Sequence, residues 1–316
     1  MKEATDKNTI LVADDAEYTK QTVTKVMEGD YEIIYASDGL EVLEQVKKHT
    51  NVDCIIMGMH MPRLDGLLAT QRLKADFTTY HIPIIILTSH IEIEKMVRAV
   101  EMGADDYMKK PIIPEELKAR ITMNIRRAQR DQNSNPLTKL PGNNIINKTI
   151  IQRLYQPIAV LYADLDNFKA YNDKYGFNRG DDIIKYTATV LAAAVKQNGN
   201  ATDFVGHIGG DDFIVISTPE RADQIAQIIC QQFDQHASLF YNEEDRHAKK
   251  IIAQDRKGNI CQYPLASISV AIITNEKKEL TSMPQIAQLA AELKKYAKSK
   301  PSGKLGSNYV KDRRSN

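Results

Sequence analysis

Short apolar runs alternate with amphipathic segments along roughly the first 128 residues of the chain. The runs TILVAD, VDCIIMG and IPIIILTS are mostly apolar, which is typical of strands that are buried on both faces. Segments between them, such as GLEVLEQVKKH, carry apolar residues at helical spacing. The alternation predicts a doubly wound α/β domain with five parallel strands, whose functional edge lies at the carboxyl ends of the strands.

The pattern changes in the second half, where pairs of strands lie between longer helical segments. DFVGHIGGDDFIVIS indicates a strand, a tight turn and a second strand, and IAVLYADLD indicates another strand. The long stretch KKIIAQDRKGNICQYPLASISVAIIT predicts two strands around a DRKGN turn. Strand pairs between helices predict an α+β domain with a mainly antiparallel sheet.

A polar segment, DQNSNP, separates the two patterns. We therefore expect a first domain at residues 1–128, a linker at 129–134 that continues the last helix, and a second domain at 135–316. That last helix carries an apolar stripe that packs within its own domain or pairs with a second protomer. The stripe consists of Leu117, Ile121, Ile125 and Ala128.

The composition of the chain limits which binding partners and which cellular compartment we expect for the protein. The net charge of +1 gives no basic bias toward nucleic acid. No run approaches the roughly 20 apolar residues of a membrane span, and the N-terminal segment lacks the apolar core of a signal peptide. The cysteines are sparse and show no metal-ligand spacing: Cys54, Cys230 and Cys261. These features predict a soluble, cytoplasmic protein without nucleic-acid or membrane partners.

Four polar residues stand at the ends of predicted strands in the first domain. Asp14 and Asp15 follow the first strand, Thr88 ends a later one, and Lys110 follows the last. Parallel strands bring their carboxyl ends to one edge, where two acids can hold a divalent cation and the lysine and hydroxyl can contact a phosphoryl group. Each residue alone is more commonly a solvated loop end, but the set of four is specific.

The motifs ILVADD, MHMPRLDG, IIILTS and GADDYMKKP resemble the receiver domain of two-component response regulators. In that family the phosphoacceptor aspartate lies four residues before the proline of the MP turn, a position that here holds Gly58. Glycine cannot form an acyl phosphate, and it removes one metal ligand. The resemblance therefore implies an intact receiver fold that keeps Thr88 and Lys110 but is not phosphorylated at the usual site. Such a pseudo-receiver would dock a protein partner or dimerise.

The most specific motif of the second domain is HIGGDDF. Gly209 and Gly210 allow positive φ and close approach of a ligand to the backbone, although a Gly-Gly-Asp turn is also a common hairpin. Asp211 and Asp212 follow at once, and Asp164 ends another strand. Antiparallel neighbours can bring Asp164 and Asp212 onto one cation, as expected for a nucleoside triphosphate bound with Mg²⁺.

Together with NPLTKLPGN, DLDNFKAYNDKYGFNRGDD, SISVA and AELKKYAK, this motif resembles the GGDEF domain of diguanylate cyclases. The resemblance implies a nucleotidyl-cyclase-like α+β fold and the condensation of two GTP to cyclic di-GMP, with release of pyrophosphate. It implies Mg²⁺ or Mn²⁺ as the cofactor. Because each domain would hold one GTP, it also implies a homodimer.

The same resemblance assigns roles by position. The implied metal ligands are the carboxylates of Asp164 and Asp212 and the carbonyl of Leu165. Asp211 would help to activate the attacking 3′-hydroxyl. The implied guanine contacts are Asn172 and Asp181. The implied phosphate contacts are Phe168, Lys169 and Lys298.

Several positions depart from the family pattern. Asp212 stands where glutamate is usual, which shortens the reach of the carboxylate by roughly 1.5 Å. The place of a phosphate-binding arginine is taken by Ser307, or by Ser302 in another alignment. Two further replacements are Ser269 for a glycine and Asn143 for a common arginine.

The family's product-inhibition motif, Arg-x-x-Asp, is also altered. Here it reads Asn200-Ala-Thr-Asp203. Without a guanidinium group to grip guanine or phosphate, feedback by the product is expected to be weak.

Three hypotheses follow from these motifs. The first is an active diguanylate cyclase controlled by the pseudo-receiver. The second is a catalytically weak or inactive protein that binds GTP, cyclic di-GMP or a partner and signals by shape. The third is a cyclase with an altered nucleotide substrate, including mixed cyclic dinucleotides.

Overall fold

The computed structural model describes residues 7–27, 29–89, 93–254, 259–299 and 306–314, without the side chains of residues 95 and 296–299. It divides into two compact units, Met1–Gln132 and Asn133–Asn316. None of its described helices is long and apolar enough to cross a membrane.

The first unit is a five-stranded parallel sheet with helices on both faces, as the sequence predicts. The strand order is β2-β1-β3-β4-β5. The strands are β1 (Asn8–Ala13), β2 (Tyr31–Ala36), β3 (Val52–Gly58), β4 (Ile84–Thr88) and β5 (Asp106–Lys109). The helices are α1 (Glu17–Met27), α2 (Gly39–Lys48), α3 (Gly66–Ala75), α4 (Ile93–Glu101) and α5 (Pro114–Asn133). Residues 129–133 of the expected linker are thus the last turns of α5.

Alternate residues of the strands supply two apolar layers because successive side chains of a strand point to opposite faces. Leu11 and Ile55 belong to the layer that also contains residues of α2 and α3. Ile10 and Ile56 belong to the opposite layer, which contains residues of α1 and α5. The second layer includes three of the four stripe residues of α5, so the stripe is used within its own unit: Leu117, Ile121 and Ile125.

The second unit is built on a five-stranded sheet of order β12-β11-β6-β8-β7. Its pairings are antiparallel except that of β11 with β12, which confirms the predicted α+β class. The strands of this sheet are β6 (Ala159–Asp166), β7 (Phe204–Gly209), β8 (Asp212–Ser217), β11 (Ser267–Thr274) and β12 (Asn308–Lys311). The helices are α6 (Asn143–Arg153), α7 (Phe168–Tyr175), α8 (Phe177–Asn198), α9 (Pro219–Ala237), α10 (Glu243–Ala248) and α11 (Met283–Ser299).

One strand prediction is wrong. The stretch expected to form two strands forms three, because β9 (Lys250–Gln254) and β10 (Ile260–Pro264) make a separate hairpin before β11 enters the main sheet. Most of the predicted DRKGN turn, residues 255–258, lies outside the described residues. The side chains of β10 alternate between exposed and half-buried, whereas those of β11 are almost all buried. The sequence PLASIS, where β10 ends and β11 begins, does not reveal that the chain passes there from the hairpin to the main sheet.

The main sheet of this unit also separates two apolar layers. One layer joins strand residues such as Phe213 to helices α7, α8 and α9. The other joins Ile214 and Ile216 to α6 and α11. Leu289 and Leu293 of α11 lie in the second layer. Their burial fixes the side of α11 that faces the sheet.

Candidate functional site

The edge of the first sheet holds a buried ion pair. Asp14, directly after β1, is fully buried, and its Oδ2 lies 2.6 Å from Lys110 Nζ. Asp14 Oδ1 accepts a hydrogen bond of 2.9 Å from the backbone N–H of Ala16. Asp15 is exposed, and Thr88 is buried at the end of β4. The two adjacent acids therefore have different surroundings, and one is already neutralised by a lysine.

Gly58 ends β3 beside this ion pair. A Cβ atom at this position would lie 2.7 Å from Asp14 Oδ2, closer than real Cβ contacts come. The space that a side chain of residue 58 would need is thus taken by the carboxylate of Asp14. Among the described residues, this edge has no group of three metal-ligating side chains within reach of one another.

The Gly-Gly turn of the second unit joins β7 to β8. The φ angles of Gly209 and Gly210 are +152° and +59°, which L-residues with side chains rarely adopt. A Cβ at either position would meet nothing within 4 Å. Backbone conformation, and not lack of space, is therefore what requires glycine here.

A buried histidine holds this turn in place. The ring of His207 stacks on Phe213 with centroids 4.2 Å apart, and its Nε2 lies 3.0 Å from the Gly210 carbonyl. Its Nδ1 lies 3.0 Å from Thr138 Oγ1. Burial lowers the pKa of His207, which favours the neutral ring. A carbonyl only accepts, so Nε2 carries the proton and Nδ1 accepts from Thr138. The sequence motifs contain both residues but do not reveal that they pair.

Three carboxylates meet beside the turn. Asp164 on β6 and Asp212 on β8 are direct cross-strand partners. One carboxylate oxygen from each of Asp164, Asp211 and Asp212 lies within 4.8 Å of the other two. Burial, and then the negative charge of Asp164, raise the pKa of Asp211. Oxygen donors of this kind are those that Mg²⁺ and Mn²⁺ prefer, so the donor set fits a hard divalent cation.

A lysine that sequence reasoning missed reaches into this cluster. Lys294 Nζ on α11 lies 2.7 Å from Asp212 Oδ1 and 3.3 Å from Asp164 Oδ1. It also lies 4.6 Å from the centre of the Tyr162 ring, whose pKa burial and the two carboxylates raise to about 12. The motif AELKKYAK directed attention to Lys298, whose side chain lies outside the described residues. The sequence could have pointed to Lys294 through its spacing, because residues four apart, such as Lys294 and Lys298, lie on one face of a helix.

The buried side-chain oxygen of Asn172, between α7 and α8, is a second candidate contact for a ligand. The Oδ1 atom of Asn172 is buried and has no hydrogen-bond partner within the part of the chain that the structure describes. Gly180 makes room for this side chain, because a Cβ there would lie 1.9 Å from Asn172 Oδ1. Asp181 follows Gly180 on α8 and is half-buried. A buried acceptor without a partner is costly, so Asn172 is suited to a ligand that brings an N–H donor.

The residues expected to contact phosphate lie at the start of α7. Asn167 precedes the helix with a φ of +61°, and Phe168 begins it. Phe168 is buried and Lys169 is exposed. The first N–H groups of a helix have no partner within the helix, which suits an anion near this end. Leu165, two residues after Ala163 on β6, is buried and pairs with Ile268.

Asn200 and Asp203 belong to the loop between α8 and β7, where both side chains have partners. Asp203 Oδ2 accepts hydrogen bonds of 2.8 Å from the backbone of Asn200 and 2.6 Å from Ser217 Oγ. The side-chain amide of Asn200 lies 3.2 Å from Thr218 Oγ1. The carboxylate of Asp203 is thus engaged in shaping its own loop.

The remaining replacements also have local partners. Ser269 Oγ donates a 2.6 Å hydrogen bond to Asp166 Oδ2, and Asn143 Nδ2 donates one of 3.1 Å to the carbonyl of Ile208. Ser307 Oγ accepts a 2.9 Å hydrogen bond from the backbone of Ile268. Ser302 lies outside the described residues. The side chains of Ser269, Asn143 and Ser307 therefore each have a hydrogen-bond partner within their own unit.

Two family models match the chain, one in each unit. Residues 10–122 match the response regulator receiver domain, and residues 132–256 match the diguanylate cyclase GGDEF domain. Response regulator PleD of Caulobacter vibrioides is 26% identical over 248 residues, covering 72% of this chain and 53% of PleD.

Two further similarities concern smaller parts of the chain. The probable transcriptional regulator ycf27 of Porphyridium aerugineum is 36% identical over 169 residues, covering 53% of this chain and 63% of that protein. A crystal structure of a putative response regulator from Chloroflexus aurantiacus is 31% identical, with a TM-score of 0.37, and covers 39% of this chain and 100% of its own. The chain spans about half the length of PleD and less than two thirds of the ycf27 protein.

Proposed function

We propose that this chain, which consists of a response-regulator receiver domain followed by a GGDEF domain, condenses two GTP to cyclic di-GMP and pyrophosphate. The observation that carries the proposal is the meeting of the Asp164, Asp211 and Asp212 carboxylates beside the Gly-Gly turn. Each GGDEF domain holds one GTP, so two copies of the chain must face each other as a homodimer. The reaction then depends mainly on positioning and charge stabilisation.

Asp164, Asp212 and the carbonyl of Leu165 would hold Mg²⁺ or Mn²⁺. A bound divalent cation neutralises charge on the triphosphate. Asp211 accepts the proton of the attacking 3′-hydroxyl. Its raised pKa makes it a stronger base than an exposed aspartate.

The nucleotide is recognised at its base and at its phosphates. The buried Asn172 Oδ1 accepts an N–H of guanine, and Asp181 accepts a second. The backbone at Phe168 and the side chains of Lys169 and Lys298 bind the phosphates. Discrimination for guanine follows because a base without those donors would leave a buried acceptor unpaired.

Product feedback at the altered inhibitory motif is weak. Asn200 has no guanidinium group, and the Asp203 carboxylate is already bonded to Asn200 and Ser217. Cyclic di-GMP would therefore find Oδ2 of Asp203 already engaged.

The receiver domain controls output by docking a protein partner or by dimerising, and not by phosphorylation at the usual site. Gly58 offers no carboxylate, and Asp14 occupies the space above it while paired with Lys110. Acetyl phosphate should therefore leave no label on the receiver when the protein is examined by mass spectrometry. An acyl phosphate found there would overturn this part of the proposal.

A second candidate function is binding of GTP or cyclic di-GMP without turnover. One observation favours it: Lys294 already forms ion pairs with two of the three carboxylates. In this case the nucleotide would act as a signal that changes how the chain associates with a partner.

Purified full-length chain incubated with GTP and Mg²⁺ separates the two candidates. Chromatography should show cyclic di-GMP from the natural chain and none from Asp211→Ala. Asp15→Ala, an exposed receiver acid, is the matched control and should retain activity. No product from a folded, dimeric protein would overturn the cyclase proposal, and measured binding of cyclic di-GMP would then support the second candidate.

A further inference from the structure

Lys294 has contacts that distinguish it from its neighbours on α11. Its ammonium group lies 2.7 Å from Asp212 Oδ1 and 3.3 Å from Asp164 Oδ1, over the face of Tyr162. The side chain is only 16% exposed. Lys295, the next residue, is exposed. Two adjacent lysines of α11 thus have different surroundings, and only the first of them lies against the carboxylates.

Its electrostatic role follows from the charges that surround it. Three carboxylates with oxygens within 4.8 Å of one another repel strongly when they are partly removed from water. One ammonium group touching two of them offsets part of that repulsion, and the Tyr162 ring adds a cation–π contact. Lys294 thus supplies, from within the chain, a positive charge at the carboxylates that would hold a metal ion.

We propose that Lys294 is a tethered cation that competes with the divalent metal ion for Asp212 and Asp164, and thereby sets the metal affinity of the site. This inference rests on the proposed function, in which the same carboxylates hold Mg²⁺ or Mn²⁺. An ammonium 2.7 Å from Asp212 Oδ1 engages one of the two oxygens that Asp212 can offer a metal ion, and it places a positive charge where the ion would bind. The metal ion binds only when this ion pair opens, so Lys294 acts as a positioning residue through the metal ligands.

The test measures binding of Mn²⁺ alone, without nucleotide, to the full chain. Free Mn²⁺ is quantified by electron paramagnetic resonance. A variant with both Asp164→Asn and Asp212→Asn reports binding elsewhere in the chain, which is subtracted. Lys294→Met should bind Mn²⁺ at this site more tightly by roughly tenfold or more, because a competing unit charge is removed.

Two further variants separate charge from structure. Lys295→Met removes a lysine from the exposed neighbouring position and should leave the affinity unchanged. Lys294→Arg keeps the charge and should also stay near the natural affinity. Lys294→Gln repeats the loss of charge with a polar side chain, and thermal unfolding of each variant verifies that it is folded.

An affinity of Lys294→Met and Lys294→Gln that is unchanged or weaker than that of the natural chain would overturn the inference. So would the lack of any binding that depends on Asp164 and Asp212. The measurement involves neither GTP nor turnover. A chain that makes no cyclic di-GMP, but binds Mn²⁺ more tightly without Lys294, would therefore fail the cyclase proposal and retain this inference.

Discussion

In each of the two domains a lysine forms an ion pair with an aspartate near the end of a strand. The domains differ in how many other carboxylates lie close to that pair. In the receiver, Lys110 pairs with Asp14 at 2.6 Å, and a Cβ at Gly58 would lie 2.7 Å from the same carboxylate. In the GGDEF domain, Lys294 pairs with Asp212 at 2.7 Å. There two more carboxylates lie close by.

The difference shows that the meaning of a buried lysine–aspartate pair depends on the charges around it. Asp14 and Lys110 form a neutral buried pair, and the adjacent Asp15 is exposed, where water weakens the pull of its charge on a cation. Three carboxylates with one lysine keep an excess of negative charge, which an added metal ion can neutralise. The two lysine–aspartate pairs are thus similar in distance but differ in the number of carboxylates beside them.

The strongest test applies the same change to both sites. Asp164→Asn should lower cyclase activity by at least roughly 10²-fold, because metal-ion stabilisation is worth several kcal/mol. Asp14→Asn should leave activity nearly unchanged, but lower the free energy of unfolding of the receiver by about 1–3 kcal/mol. Both are measured by cyclic di-GMP production and by denaturant unfolding. Equal losses of activity would remove the distinction between the two sites.

A second test concerns the base, which only the GGDEF domain is proposed to bind. Asn172→Ala should raise the KM for GTP by roughly 10- to 100-fold, because the buried acceptor that receives a guanine N–H is lost. Steady-state kinetics measure the change. Asn198→Ala, at the far end of α8, is the matched control. An unchanged KM for Asn172→Ala would exclude it from guanine binding.

A third test examines the space above Gly58. Gly58→Ala should destabilise the receiver by about 1 to 2 kcal/mol, because the added Cβ would meet the Asp14 carboxylate. In an Asp14→Ala background the cost should shrink, as a double-mutant cycle of unfolding free energies will reveal. The same cost in both backgrounds would contradict direct contact between the two positions.

The smallest expected effect is the pH dependence of the Gly-Gly turn. Burial lowers the pKa of His207 below its ordinary value of 6.5, so the unfolded chain takes up a proton first as the pH falls. The stabilisation is complete above about pH 6.5 and is lost as the pH falls toward the lowered pKa. Between pH 7.5 and 5.5 the natural chain should therefore lose up to about 1 kcal/mol more stability than His207→Gln. Parallel curves in chemical denaturation would refute this.

The sequence by itself predicted the two fold classes and the approach of Asp164 to Asp212, with Asp211 next to Asp212 in the chain. Alternating apolar runs and the GGDDF motif are local patterns, and Asp164 stands at the end of a clearly marked strand. A strand that pairs antiparallel with its neighbour brings Asp164 opposite Asp212, so the cluster follows from simple pairing. The roles of Asn172, Asp181 and Lys169 came from resemblance, and they remain predictions.

Only the tertiary structure decided the contacts that join distant parts of the chain. Lys294 is 82 residues from Asp212, and His207 is 69 residues from Thr138. The separation of β10 from β11 also depended on which strands the main sheet accepts. The contact of Lys294 depends on how α11 packs against the sheet through its apolar side, which no local spacing records. The physical reason is that a motif specifies the residues of one segment, whereas packing selects which charge from another segment lies beside them.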